Sequence, residues 1–139
     1  MAATGPQTIE IKNALPPKST PVLAASQTIY TGVLCMNDAG KIKKYVANTA
    51  GHFLLGLSQQ DLTSGGSDVT YAQGAIPQFL RGTMKLKNDT GAPVAAAHVG
   101  KTCKLIDEDT VSNAAPGAND SGARVVAIDA DGGIWVEIE

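Results

Sequence analysis

The sequence predicts an all-β body, a small barrel built from two related strand-turn-strand units and preceded by an extended arm. Three observations predict it. Fifteen Gly and seven Pro cut the 139 residues into many short runs, and turn residues at that density favour short strands over long helices. The apolar runs either alternate with period two or are short and continuous, as strands are. Finally, GARVVAIDADGGIWVEIE (122 to 139) repeats the strand-turn-strand phrasing of GHFLLGLSQQDLTSGGSDVTYA (51 to 72).

Residues 1 to 21, MAATGPQTIEIKNALPPKSTP, read as the arm. Ile9, Glu10 and Ile11 make one alternating patch and Leu15 follows. Pro16, Pro17 and Pro21 then forbid a continued helix or central strand, and a Pro-rich backbone tends to be extended. The plain alternative is a frayed terminus. Residues 22 to 139 form the body. Strands are expected over 22 to 25 and 32 to 36, with Asn37-Asp38-Ala39-Gly40 turning the chain into 41 to 46. Another follows over 53 to 57, and the TSGGSD loop leads to 69 to 72. Strands 76 to 80 and 83 to 87 are expected to pair around Arg81-Gly82. NDTGAP is a loop, and residues 94 to 98 are the one segment suited to a helical turn. Strands over 102 to 106, 125 to 128 and 134 to 138 complete the chain.

The repeat can be written residue by residue. VLCMNDAGKI (33 to 42) lies over TCKLIDEDTV (102 to 111), so Asp38 meets Asp107 and Ile42 meets Val111. After a two-residue gap, GHFLLGL lies over GARVVAI, matching Leu54, Leu55 and Leu57 with Val125, Val126 and Ile128. DVTY (68 to 71) then meets GIWV (133 to 136). Short hairpins resemble one another by chance, since few residues suit strands and turns. The ordered match of three elements decides for duplication. Neither unit alone can bury its apolar face, so the two must pack together.

Composition excludes several functions. Net charge is −2 with 17% charged residues, whereas nucleic-acid affinity rests on a basic surface. No apolar run approaches a membrane span, and residues 1 to 20 lack a signal peptide's apolar core, so synthesis in a host cytoplasm is expected. Aromatics are 4%, leaving the core to Val, Ile, Leu and Ala.

Chemistry-bearing residues are sparse. His52 and His98 have no partner at zinc-ligand spacing. Cys35 aligns with Lys104 and Cys103 with Leu34; adjacent strand positions face opposite sides, so the thiols should point differently and lie buried and inert. DADGG (129 to 133) opens like a calcium loop without its later ligands, and a hairpin turn at Asp131-Gly132 accounts for it. TSGGSD has no Lys-Ser or Lys-Thr after it to hold a phosphate and reads as a flexible loop. Lys41 and Lys43 share one face of a strand, and Lys44 shares the other with Ile42. Asp107 and Asp109 read as turn residues. No nucleophile signature occurs. Neither enzyme activity, cofactor nor metal is expected.

The order of these elements resembles the small capsid decoration proteins of tailed bacteriophages, also called cement or head-stabilising proteins. The resemblance runs from GVLCMNDAGKI through LLGL, the Gly-rich loop, GAIPQFLRG and VGKTCKLIDEDTV to VVAID and GGIWVEIE, covering about residues 22 to 139. It rests on strand periodicity and Gly placement. It implies a β-tulip-like body on the exterior of a virion capsid, a homotrimer there, clamping neighbouring major capsid proteins of the expanded head. The arm residues Ile9, Glu10, Ile11, Leu15, Pro16 and Pro17 would bind the capsid, with Ile9 and Ile11 on one face of an added strand. No nucleic-acid or membrane partner is implied. Alternatives are a head fibre base or tail appendage, or a carbohydrate-binding β-domain stacking sugars on an aromatic such as Trp135.

Overall fold

A computed structural model describes residues 21 to 72 and 75 to 138. Ile9, Glu10, Ile11, Leu15, Pro16 and Pro17 lie outside the described residues. The body is all-β, and the helical turn expected over 94 to 98 is a 3-10 turn at Ala96–His98.

The first unit is built on β1 (Val22–Leu23), β3 (Leu34–Asp38), β4 (Lys41–Lys44), β5 (Phe53–Ser58) and β8 (Phe79–Leu80). They lie in the order β1-β4-β3-β5-β8, with β7 (Val69–Thr70) outside β1. β1 is parallel to β4, and the other neighbours are antiparallel. The second unit uses β9 (Gly82–Asn88), β10 (Thr102–Lys104), β11 (Thr110–Val111), β12 (Gly122–Ile128) and β13 (Ile134–Ile138). Here β9 is parallel to β11, and β11 reaches β10 through a bridge between Leu105 and Val111. The Ser112 amide donates to Lys104 O beside that bridge, at 2.9 Å. β10 pairs β12 and β12 pairs β13.

Taken strand by strand, the two units share one plan. In each, the first strand is parallel to the third, the third lies beside the second, the second beside the fourth, and the fourth beside the fifth. They differ in closure. β13 runs on along β9 from Ile134↔Leu86 to Ile138↔Gly82, and the Leu105–Val111 bridge joins the two ends of that sheet, so the second unit curls into a five-stranded barrel. The first stays open because its fifth strand has two residues. After Leu80 the chain leaves β5 through Arg81 and Gly82, whose φ of 107° suits glycine, and enters the barrel as β9.

Two expectations about pairing are therefore corrected. Strands 76 to 80 and 83 to 87 do not form a hairpin: β8 pairs β5, and β9 pairs β13 and β11. The DVTY segment is not the counterpart of GIWV either. β7 lies at the far edge beside β1, and β8 holds the place that β13 holds in the barrel. Long-range pairing here is set by where the connections deliver each strand, which local alternation does not encode.

The other alignments survive in detail. Leu54 and Val125 are both buried. Leu55 and Val126 are each the extra residue at a β-bulge, between Leu54 and Gly56 in β5 and between Val125 and Ala127 in β12. Their surroundings differ, however. Leu55 packs against a second core, whereas Val126 and Ile128 are exposed, so Leu55 and Val126 are not equivalent in burial.

β3 explains the asymmetry. Leu34 and Met36 face the main core, shared with Leu54 and with the barrel's Leu86, Val125, Ile134 and Val136. Cys35 faces a second core with Leu23, Ile29, Ile42 and Leu62. Its roof is a ribbon of β2 (Thr28–Ile29) and β6 (Leu62–Thr63), which the sequence reading missed. Consequently the TSGGSD stretch is not wholly loose. Ser64 is buried, its hydroxyl donating to Ala24 O at 2.5 Å and accepting from the Gln27 amide at 2.9 Å. Pro21, read with the arm, joins the body: its carbonyl accepts from the Tyr71 amide at 3.0 Å.

Candidate functional site

The two units meet at a polar junction as well as through the main core. Tyr45 is buried just beyond β4, its hydroxyl donating to Leu105 O and accepting from the Ser121 amide, each at 3.0 Å. Those two bonds satisfy barrel groups that would each cost about 1–3 kcal/mol if left buried and unpaired. His52 lies against Tyr45, ring centroids 5.5 Å apart. Its Nδ1 is 2.6 Å from Thr49 O and its Nε2 is 2.5 Å from Ser121 Oγ. Because Thr49 O only accepts, Nδ1 carries a proton. Asp120 accepts from the Gly117 and Asn48 amides at 2.8 Å each. Its carboxyl is held below the usual range, chiefly by the Gly117 bond. His52 is thus a structural tie between the units, a role without a sequence signal, since its partner across the junction, Ser121, lies far along the chain.

Among the described residues, two clefts bear on a candidate site. One, about 680 Å³, lies between β9, the β12–β13 turn and Gly32-Val33. Its lysines face carboxylates, two for Lys85 and one for Lys87. Lys85 Nζ lies 2.6 Å from Asp129 and also contacts Asp131, and Lys87 Nζ lies 3.0 Å from Asp109. Hydrogen bonds to Asp129 and then Asp131 raise the Lys85 pKa, and the Lys85 contact lowers that of Asp131. Asp131-Gly132 makes the hairpin turn expected of it, with the Asp129 amide donating to Gly133 O at 2.8 Å. The carboxylates that suggested a calcium loop face an ammonium group instead. Asp107 acts as a turn residue, accepting from the Asp109 amide at 3.0 Å.

The other cleft, about 400 Å³, lies between the units and includes His52, Phe53, Arg81, Ser121, Arg124 and Glu137. Arg124 pairs with Glu137 at 2.7 Å. Among the described residues no group of three or more His, Cys, Asp or Glu is placed to hold a metal ion. His98 accepts from the Ala95 amide at 2.9 Å, closing its own 3-10 turn.

The thiols lie as the repeat requires. Cys103, counterpart of Leu34, faces the main core, and Cys35 faces the second. Both are free and buried. Burial pushes the Cys35 thiol up to about 12 and raises Cys103 as well. Since the thiolate is the reactive form, neither cysteine of the native protein is expected to react with Ellman's reagent at pH 8. Both should react at once in denaturant, and a fast native phase would contradict this assignment.

Several large apolar side chains are left exposed. Around the C-terminal half of β12, Val126, Ile128 and Trp135 are 41%, 39% and 38% exposed. Trp135 pairs with Ala127 across the strands. Val99, 46% exposed, joins them, because the next residue, Gly100, donates to Val125 O at 2.8 Å. Val126 and Trp135 lie on the outer side of the β12–β13 pair, whereas Ile128 pairs with the buried Ile134 at its end. No helix among the described residues is long and apolar enough to cross a membrane. Comparison with protein-family models, with curated proteins and with solved structures finds no match for this chain.

Proposed function

We propose that this protein is a structural component of a bacteriophage head, a decoration protein that binds the outside of the expanded capsid and clamps neighbouring major capsid proteins. The observation that carries the reading is the division of the surface. Histidines, thiols and charged clusters are used up in internal ties, while the apolar side chains of Val99, Val126, Ile128 and Trp135 stay exposed. A catalyst needs free polar groups in a cleft, and a clip needs a stiff body with surface to bury against its neighbours. The barrel supplies the stiffness. The order of sequence elements supplies the capsid, by the resemblance given above, and with it a homotrimer and an arm that adds a strand to a shell protein.

Binding to expanded, undecorated heads tests the proposal. The full chain should saturate them. Removing residues 1 to 17 should leave the melting temperature unchanged and weaken binding by at least about tenfold, because up to three apolar side chains lose their burial. Val126→Asp should weaken binding through these exposed side chains. Absence of binding by the full chain would overturn the proposal. A carbohydrate-binding role is the second reading, favoured by the outward placement of Trp135 beside Lys85 on β9. Sugar titrations in which Trp135→Ala abolishes a signal would establish it instead.

A further inference from the structure

We infer that Arg81 guards the free edge of β5 against strand pairing with a second copy of this chain. The edge is exposed by the way the units are joined. β8 covers β5 only at Leu57 and Ser58. It then departs at Arg81-Gly82, so that among the described residues the Phe53–Leu55 half of the strand has no strand neighbour on that side. An unpaired edge is a template for another chain, the more so when apolar side chains flank it. Phe53 and Leu80 flank this one and are 64% and 48% exposed.

Two devices blunt the edge. The bulge at Leu55 breaks the regular spacing of its backbone groups. Arg81 then occupies them: its guanidinium donates to Leu54 O and, at 3.3 Å, to Leu55 O. The same group lies over the Phe53 ring, 5.6 Å from its centroid, so one side chain covers both the carbonyls and the aromatic face. Its charge names the partner that it excludes. Edge-to-edge pairing of two copies about a two-fold axis apposes the same strand from each copy, bringing one Arg81 towards the other. A cation there repels a second copy while leaving acidic partners unopposed. The inference does not rest on the capsid reading.

The test is Arg81→Met, which keeps the aliphatic stem over Phe53 and removes the donors and the charge. Sedimentation velocity over a concentration series, with circular dichroism to verify the fold, is expected to show association beyond the native state at a concentration roughly tenfold or more lower than for the native chain. Arg81→Lys, which keeps a charge and a donor, should stay as dispersed as the native chain and carries the test should the Met variant fail to fold: association of a folded Lys variant to the Met level would overturn the role of the charge. Adding Phe53→Asp to Arg81→Met should restore dispersal. Removing residues 1 to 17 from it should not, and if it does, the occupant is the arm and the inference fails. Unchanged sedimentation of folded Arg81→Met overturns it outright.

Discussion

Gly56→Ala is expected to be the most damaging single-methyl substitution in the protein, lowering stability by roughly 2–5 kcal/mol. Two independent causes act at that position. Its φ of 131° is a conformation that L side chains rarely adopt. In addition, a Cβ built there points into the β8 backbone, with the carbonyl carbon of Leu80 at 2.9 Å and its oxygen nearer still. A backbone atom cannot swing aside as a side chain can, so β8 must move. β8 holds only two pairs to β5 and leads straight into β9, so the displacement passes to the barrel. Urea unfolding of the variant measures the cost. A midpoint equal to the native one would mean that β8 does not lie against Gly56.

Truncation on the two bulged strands should give unequal results at adjacent positions. Leu54→Ala removes a buried side chain from the main core and is expected to cost about 2–5 kcal/mol. Val125→Ala, its counterpart at 1% exposure, should cost about 1.5–3 kcal/mol. One residue further along, Val126→Ala should stay within about 0.5 kcal/mol, because that side chain is already outside. Chemical denaturation of the three variants decides the matter: a Val126 cost matching that of Val125 would mean that the outer side of β12 is covered.

The pattern of these costs follows the repeat, and the repeat was legible in the sequence. Matching GHFLLGL with GARVVAI brings the two bulges into register, and matching Cys103 with Leu34 made the thiols point differently in the two units, because side-chain alternation is a local property. β2, β6 and β11 were not legible, since each holds one apolar residue among turn-forming or polar neighbours, whereas the equally short β1, β7 and β8 lie in longer apolar or alternating runs. The pairing of β7 with β1 was hidden for a different reason: Val69–Thr70 reads equally well beside any strand, and only the connections choose. The polar junction was least legible of all. Tyr45, His52 and Ser121 are ordinary residues at unremarkable spacings, and their hydrogen bonds exist only once both units are in place. The exposure of Val126 was not legible: it was matched to Leu55 as an equivalent strand position, and alternation could not tell which face of β12 would be left uncovered once a bulge intervened.

Closure of the barrel through β9 and β13 also dictates the order in which the molecule can be completed during synthesis. The second core, with Leu23, Ile29, Cys35, Ile42 and Leu62, draws on strands that have all emerged once residue 63 is made. The barrel has no such early stage. Its first strand, β9, must wait for β13, because Ile138 is the residue that meets Gly82. Until then β9 and β12 each expose an edge, and the inner face of the first sheet, with Leu34, Met36 and Leu54, lacks Ile134, Val136 and Ile138 from its core. Pairings that close such long loops form slowly and leave intermediates open to aggregation. The nascent chain therefore carries a half-finished hydrophobic surface for the whole interval between β9 and β13, and its yield in a cell depends on how quickly that last stave arrives.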